Sequence, residues 1–544
     1  MDCTVRQELT GNRLTDRQVT EFASVSDLYD GQDPRQLQTY ETRAEWLEGE
    51  FSQHHRERLA RTLVRYAETL SAPEESRANA HRLADPRAVA LVTGQQAGLF
   101  TGPLYSLAKA LTVIGVAEQL EKELARPVVP VFWVASEDHD WAEVNHTFIL
   151  DSELSVRRIR LAMRPELHRM VYHTPLTRDA VESALDEAYL RLPQAEYKTE
   201  MMATLRAQWS LEDTLSTWFA RTMVQLLGSR GLVLLDPCLP ELRTLVGPVF
   251  AETLKRNDDV RAELTQCYHA VREAGYVPEV LEDKTNTNVF YVRDGHRYVL
   301  QKTSEDMLET RHLSLSKRRA QFIAEALDEA THFSSNVLLR PVIQDHLLPT
   351  LAYVGGPSEL AYYPLARGIF HAFGRRLPPL LLRQRMNLFP SAVAECLTEL
   401  GISANDHKGI SELVEKHLAT AGVDKMQAQV AVLRSLFHEQ LEAIATAWPA
   451  LQPQLSGVLE SAKVRHEDQM RGLVNKLSRL VEATEAQQIH RLRSVERWLW
   501  TDGHAAERRL SPLNAWSRIG TRALSQLPAW GDYRQVPPVY DISL

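Results

Sequence analysis

The densest chemistry in the chain is a run of four ionisable residues, Glu137-Asp138-His139-Asp140, with Glu143, Asn145 and His146 close behind. Carboxylates and an imidazole at that spacing suit three tasks: binding an ammonium group, taking a proton, or holding a hard cation. The competing structural reading is a solvated acid cluster in the first turn of a helix, where negative charge favours the dipole. A buried apolar run, VVPVFWVA, leads straight into the cluster, and a strand that ends in so many charges favours a site over a cap. His146 taken alone reads as a structural histidine.

Two further segments share that logic. Thr93-Gly94-Gln95-Gln96-Ala97-Gly98, followed by Thr101-Gly102-Pro103, closes an apolar run and opens a helical one. Glycines there let backbone N–H groups approach a ligand, and the helix N-terminus favours an anion. It is neither a GxGxxG fingerprint nor a P-loop, since no GK[ST] follows. A tight strand-to-helix turn without ligand is the bland alternative; Gln95, Gln96 and Lys109 favour a polar pocket. The third segment runs from Ser334 through Asn336, Arg340, Gln344 and Asp345 to Gly355-Gly356-Pro357-Ser358-Glu359. Its Gly-Gly-Pro turn opens a helix whose Glu359 would face the same crevice. Against that stands a plain capped helix, with Arg340 and Asp345 as a structural ion pair. The pair His54-His55 and the lone His504 show no metal spacing.

These residues need a scaffold that gathers them. AVALVTG and VVPVFWVA read as buried strands, and Leu104 to Leu124 between them carries the helical period, which makes a βαβ unit with a right-handed crossover. GLVLLD, NVLLRPVIQD, TLAYVGG and PPLLLR read as further strands of the same parallel sheet. Asn286 to Gln301, with Asp294-Gly295 at its middle, reads as a hairpin in an inserted subdomain spanning about 151–331. From Ser391 to about Thr501 the chain is helical. Met426, Val430, Leu433, Phe437, Gln440 and Ile444 form a heptad seam, Trp448-Pro449 breaks it, and a second helix of roughly 70 Å follows at 1.5 Å per residue. Val430, Leu433, Leu477 and Val481 would be exposed unless another helix covers them. The expected architecture is α/β, with a core at 1–390, a helical hairpin at 391–501 and a tail at 502–544 that packs back on the core.

The whole chain sets bounds on function. Its 544 residues exceed one compact core, and 62 Lys+Arg against 71 Asp+Glu give a net charge of −9. That balance argues against a general nucleic-acid or anionic-membrane binder. Cys3, Cys238, Cys267 and Cys396 are scattered without a CxxC pair, so neither a disulfide scaffold nor a thiolate zinc site is expected. With no signal-type segment and no apolar run of about 20 residues, a cytosolic protein is expected.

VTGQQAGLFTGPLYSLAKA, PVFWVASEDHDWAEVNH, SSNVLLRPVIQDHLLPTLAYVGGPSELAYY and RRLSPLNAW together resemble, in order and spacing, the cysteine-adding enzymes of bacillithiol biosynthesis, the BshC family. The resemblance implies a Rossmann-like core of class I aminoacyl-tRNA synthetase type, connecting-peptide insertions and a coiled coil that forms a homodimer. It implies a ligase that joins L-cysteine to the amine of glucosaminyl malate, the last step of bacillithiol synthesis. The catalytic group would be Glu137, Asp138, His139, Asp140 and Lys109. Substrate would be bound by Gln95, Gln96, Gly98, Tyr105, Asn145 and His146, and by Asn336, Arg340, Gln344, Asp345, Gly355, Gly356 and Glu359. The family is also associated with ATP or ADP, and no metal is expected beyond Mg with the nucleotide. Its nearest counterparts here are Arg383, Gln384, Arg385, Ser511, Pro512 and Asn514. Leu381 to Arg385 departs there from an expected Pro-Arg-hydrophobic-Ser pattern.

Amide formation from a free carboxylate requires activation, yet neither a HIGH nor a KMSKS motif is present. The adenylate route is therefore an analogy of fold. Two other functions fit the same segments: a nucleotidyltransferase acting on a small phosphate ester, and a non-catalytic nucleotide-sensing dimer.

Overall fold

In the computed structural model, which describes residues 2–401 and 407–544, Val89–Gln95 lies at the centre of a five-stranded parallel sheet. The strand order is Leu380–Leu382, Thr350–Gly355, Val89–Gln95, Val128–Val134, Val233–Leu235. Helices cover both faces, so side chains on each side of these strands are buried, and the runs are apolar without alternation. The register sets Val89 against Val128 and Gln95 against Val134, with Tyr353 beside Val92 on the other flank. The chain moves outward from Val89–Gln95 through Val128–Val134 to Val233–Leu235, then crosses back to Thr350–Gly355. Strand order therefore reverses between Val89–Gln95 and Thr350–Gly355, and the crevice at their carboxyl ends is where open α/β sheets bind ligands.

The helix Tyr105–Leu124 forms the first crossover and is buried over most of its surface. Gly115 on it is required by close approach: a Cβ there would sit 2.5 Å from the Trp530 carbonyl oxygen, so the C-terminal chain lies directly on the helix.

Two expectations about this region need correction. NVLLRPVIQD is not a strand. A short strand, Phe333–Ser335, ends before it, and a helix, Arg340–Leu347, takes most of it. The Asn336 side-chain oxygen accepts from the Leu338 and Leu339 N–H groups, and Pro341 sits in the first helical turn. Leu338, Leu339, Val342, Ile343 and Leu347 are then buried with helical spacing, a period the short apolar run could not reveal. Nor is 151–331 one continuous insertion, because Val233–Leu235 within it returns to the core sheet. The first excursion carries the antiparallel pair His146–Leu150 and Val156–Arg160. The second carries a five-stranded antiparallel sheet that includes Asn286–Arg293, His296–Lys302 and Phe333–Ser335. Its hairpin turns at Asp294 and Gly295, both with positive φ (53° and 78°), the geometry of a type I′ turn.

By internal contacts the chain divides into two units, 1–388 with 507–542 and 544, and 389–506 with 543. The second unit is helical. Val423–Ala447 packs along Gln452–Thr484 as a hairpin, and Phe437 stacks on His466 with ring centroids 3.8 Å apart. Two details differ from the sequence reading. The second run is broken at Glu485, whose ψ of 10° separates Gln452–Thr484, about 50 Å long, from Ala486–Leu499. Ile489, Leu492 and Val495 of the latter are buried where it packs on His407–Thr420, and His417 meets Glu485 at 2.9 Å. The hairpin seam also lies to one side of the heptad pattern. Val430 and Leu441 are buried, whereas Leu433 is 53% exposed and Ile444 39% exposed. The apolar stripe is broader than one partner helix can cover, and its far edge carries Leu433, Leu436 and Ile444.

Candidate functional site

The crevice at the switch point is a cleft of about 370 Å³ lined from all three chemistry-bearing segments. Lys109, buried on the helix after the glutamine loop, donates to the Gly94 carbonyl (2.8 Å) and to Gln95 Oε1 (2.9 Å), and it forms an ion pair with Glu359. Glu359 also accepts from Tyr353 Oη (2.6 Å) and from the Gly356 N–H (2.7 Å). Burial lowers the Lys109 pKa and opposes ionisation of Glu359. The Lys109 charge, with those two donors, holds the Glu359 carboxyl below its usual range. This pair ties two segments 250 residues apart into one wall. It also answers the choice left open for Glu359: the residue caps its own helix and faces the shared cleft, with its charge already matched by Lys109.

The acid cluster forms the opposite wall, but its members do different work. Glu137 is buried in an ion pair with Arg243 and accepts from Ser335 Oγ (3.3 Å). Asp138 faces the cleft. It accepts from Gln96 Nε2 (2.8 Å) and the His139 N–H (2.7 Å), and Arg297 stands 3.8 Å away. Burial opposes its charge, yet Arg297 and those donors keep its pKa low. His139 lies half-buried between His168 and Phe290, and burial, then Arg297, lowers its pKa, which leaves the ring neutral near pH 7. Asp140 caps the short helix Trp141–Val144 instead of facing the cleft. Asn145 pairs with His146, whose ring meets Phe148 on the strand His146–Leu150; neither lines the cleft.

Of the remaining named residues, Gln95, Gln96, Tyr105, Asn336, Arg340 and Gly356 line the cleft. Arg340 is not paired with Asp345. It reaches the Tyr362 and Tyr363 hydroxyls (3.2 and 3.4 Å), lies 5.2 Å from the Tyr353 ring centroid, and donates to Gln344 (3.1 Å). These partners are neutral, so the cation is left to complement an anion in the cleft. Asp345 is fully buried between Arg43 and Arg375, and with Gln344 it belongs to the scaffold. Gly98 serves a tight turn against Gly102, and Gly355 ends its strand beneath Leu360 and Glu359.

Most of the residues named for a nucleotide are engaged by partners within the protein. Arg383 lines the cleft in a buried bidentate pair with Glu507 (2.7 and 2.9 Å). Gln384 is held by Pro528 and Trp530 backbone, and Arg385 reaches the Glu8 carbonyl. Asn514 clamps both backbone groups of Leu150, while Ser511 and Pro512 shape the start of helix Leu513–Ser525.

Trp133, Arg297 and Arg508 line the cleft without having been named as site residues from the sequence, whereas Tyr353 and Tyr362 belong to the third segment. Trp133 lies in a run that reads only as apolar core, and Arg297 lies in a hairpin that reads as scaffold. Among the described residues there is no group of three or more His, Cys, Asp or Glu placed to hold a metal, and no helix is long and apolar enough to cross a membrane.

A Rossmann-like parallel sheet with a charged cleft at its switch point, joined to a helical hairpin unit, is the class of protein this fold and site define. The chain matches two family descriptions, "Bacillithiol biosynthesis BshC, N-terminal Rossmann-like domain" over residues 1–384 and "Bacillithiol biosynthesis BshC, C-terminal coiled-coil domain" over 386–529. It belongs to the BshC family. A relative from Symbiobacterium thermophilum, "Putative cysteine ligase BshC", is 33% identical over 473 residues, 84% of each chain. One of the same name from Salinibacter ruber is 30% identical over 480 residues, 87% of this chain and 86% of its own. A solved chain from Campylobacter jejuni titled a putative arginyl-tRNA synthetase overlaps at a TM-score of 0.23 with 11% identity, covering 88% of this chain and 100% of its own.

Proposed function

We propose that this protein is the ligase that joins L-cysteine to the amine of glucosaminyl malate, the closing step of bacillithiol synthesis, and that it works in the cytoplasm as a homodimer. The observation that carries the reading is the cleft itself. In a chain whose relatives are named cysteine ligases, it sets a cation with neutral partners, Arg340, and a matched Lys109–Glu359 pair across from Asp138. Arg340 suits the carboxylate of an amino acid, and Asp138 suits an ammonium group. The new amide bond forms between the cysteine carboxyl carbon and the glucosamine nitrogen, which must be neutral to attack. A proton leaves that nitrogen, and neutral His139, beside Asp138, is the acceptor we assign.

The carboxylate needs activation, and ATP is the co-reactant we propose. ATP would pass a phosphoryl or an adenylyl group to the cysteine carboxylate, releasing ADP or pyrophosphate. The amine's attack would break the activated C–O bond and expel phosphate or AMP with that oxygen. Product release that needs cysteine is the expected signature. Homodimerisation is supported by the apolar edge of the hairpin that Gln452–Thr484 leaves uncovered.

The deciding experiment incubates purified protein with ATP, cysteine and glucosaminyl malate and follows the last by mass spectrometry. Cysteine-dependent loss with a new thiol product is expected. Pyrophosphate release without cysteine would instead point to a nucleotidyltransferase, and binding without turnover to a nucleotide sensor.

A further inference from the structure

Tyr105 and Lys109 stand four residues apart on the helix Tyr105–Leu124, so they share one face of its first turns, and both line the cleft. Gln95, the last residue of the strand Val89–Gln95, bridges them. The bridge has one orientation. An ammonium group donates and never accepts, so Gln95 turns its Oε1 to Lys109 (2.9 Å) and its Nε2 to the Tyr105 hydroxyl oxygen (3.2 Å). The phenol is therefore an acceptor toward the protein, and its own hydrogen is left to donate elsewhere. Among the described residues that hydrogen meets no acceptor.

The surroundings of this hydroxyl suit an oxygen that gains negative charge. Arg383 lies 5.6 Å from the Tyr105 ring centroid, and the Arg508 charge also acts on the phenol. Glu143 and Glu359 act in the opposite sense, but Glu143 accepts from Gln96 and Glu359 is matched by Lys109. Tyr105 also opens its helix, where the positive end of the dipole lies. Burial pushes the phenol up to about 12, so the hydroxyl keeps its hydrogen through the neutral range.

We infer that Tyr105 is a catalytic residue that donates its phenolic hydrogen bond to the carbonyl oxygen of the activated cysteine carboxyl. The inference rests on the ligase reading. As the amine nitrogen bonds to the carboxyl carbon, the C=O π pair moves onto that oxygen, and the amine proton passes to His139. The pair then returns, the bond from carbon to the phosphorylated or adenylylated oxygen breaks, and phosphate or AMP departs with that oxygen. Tyr105 gives up no proton in either half. It acts where charge builds and fades, and the Lys109–Gln95 chain occupies its oxygen so that the hydrogen turns to the cleft.

Two variants test it. Tyr105→Phe removes the hydroxyl and keeps the ring. One oxyanion donor is worth about 10²–10³ in turnover, so kcat is expected to fall at least a hundredfold while KM for cysteine and for glucosaminyl malate changes less than threefold. A smaller loss of kcat at an unchanged melting temperature, or a loss carried by KM, overturns the assignment. A difluorinated tyrosine placed at position 105 by stop-codon suppression keeps ring and oxygen but carries a more acidic hydroxyl, and it decides the matter where Tyr105→Phe does not fold. Its kcat is expected to fall away at a lower pH than that of the wild type, because an ionised phenol cannot donate. A pH profile identical to wild type overturns the assignment. A wild-type protein with no cysteine-dependent turnover overturns the ligase reading itself, and the role of Tyr105 falls with it.

Discussion

Lys109 and Glu359 show how much one pair of residues decides here. Each is held by the other and by backbone groups, so removing Glu359 leaves a buried ammonium without its partner, and removing Lys109 leaves a carboxylate that is 22% exposed. Lys109→Met is expected to lower stability by about 1–3 kcal/mol, the cost of leaving a partly buried, still hydrogen-bonded group without its partner. Activity should fall at least a hundredfold. Lys109→Met with Glu359→Gln should recover much of the melting temperature but not the turnover; full recovery of both would make the pair purely structural. His346 carries a second residue-scale prediction. Burial, then the neighbouring Arg375, lowers its pKa from 6.5 to about 4. Between those values the unfolded chain binds a proton that the folded protein refuses, so stability is intact above pH 6.5 and falls as the pH drops toward 4. The slope approaches 1.4 kcal/mol per pH unit for one proton. Denaturant melts of His346→Gln at pH 7 and pH 4.5 should show a smaller difference than wild type.

At the scale of elements, the C-terminal helix Leu513–Ser525 is coupled to the strand His146–Leu150 by one side chain. Asn514 accepts from the Leu150 N–H (2.9 Å) and donates to its carbonyl (2.8 Å), and so satisfies a strand end that no neighbouring strand completes. Asn514→Ala should cost about 1–3 kcal/mol by leaving both groups unmet. Hydrogen exchange should rise first around residues 146–160, while catalysis in the intact fraction holds. Loss of activity at unchanged stability would return Asn514 to the nucleotide role suggested by resemblance.

For the molecule as a whole, the hairpin unit poses the open question. Leu433 and Leu436 are each about half exposed, with Ile444 beside them, on an edge that the antiparallel partner leaves bare. We expect a dimer by light scattering at micromolar concentration, and a monomer for Leu433→Glu combined with Leu436→Glu. A wild-type monomer under those conditions removes the homodimer from the proposal.

Local pattern determined a good deal of this protein. The apolar runs Val89–Gln95 and Val128–Val134, the helix between them and the Asp294-Gly295 turn all follow from short-range chemistry, because a doubly covered strand must be continuously apolar and a type I′ turn needs positive φ twice. The glutamine loop, the acid cluster and the Gly-Gly-Pro turn were legible for the same reason: each ends a strand of one parallel sheet, and parallel strands share an edge, whereas Asn336 and Arg340 follow a strand of the inserted antiparallel sheet. Tertiary structure decided what local pattern could not carry. Leu338, Leu339 and Val342 satisfy a helical face as well as a strand, and the turn set by Asn336 chose between them. Asp345 and Arg340, five residues apart in the chain, were parted because Arg43 and Arg375 arrive from elsewhere to neutralise the acid. Arg297 is an ordinary residue of a hairpin until the fold sets its guanidinium 3.8 Å from Asp138 at the cleft, a meeting of chain segments far apart in the sequence.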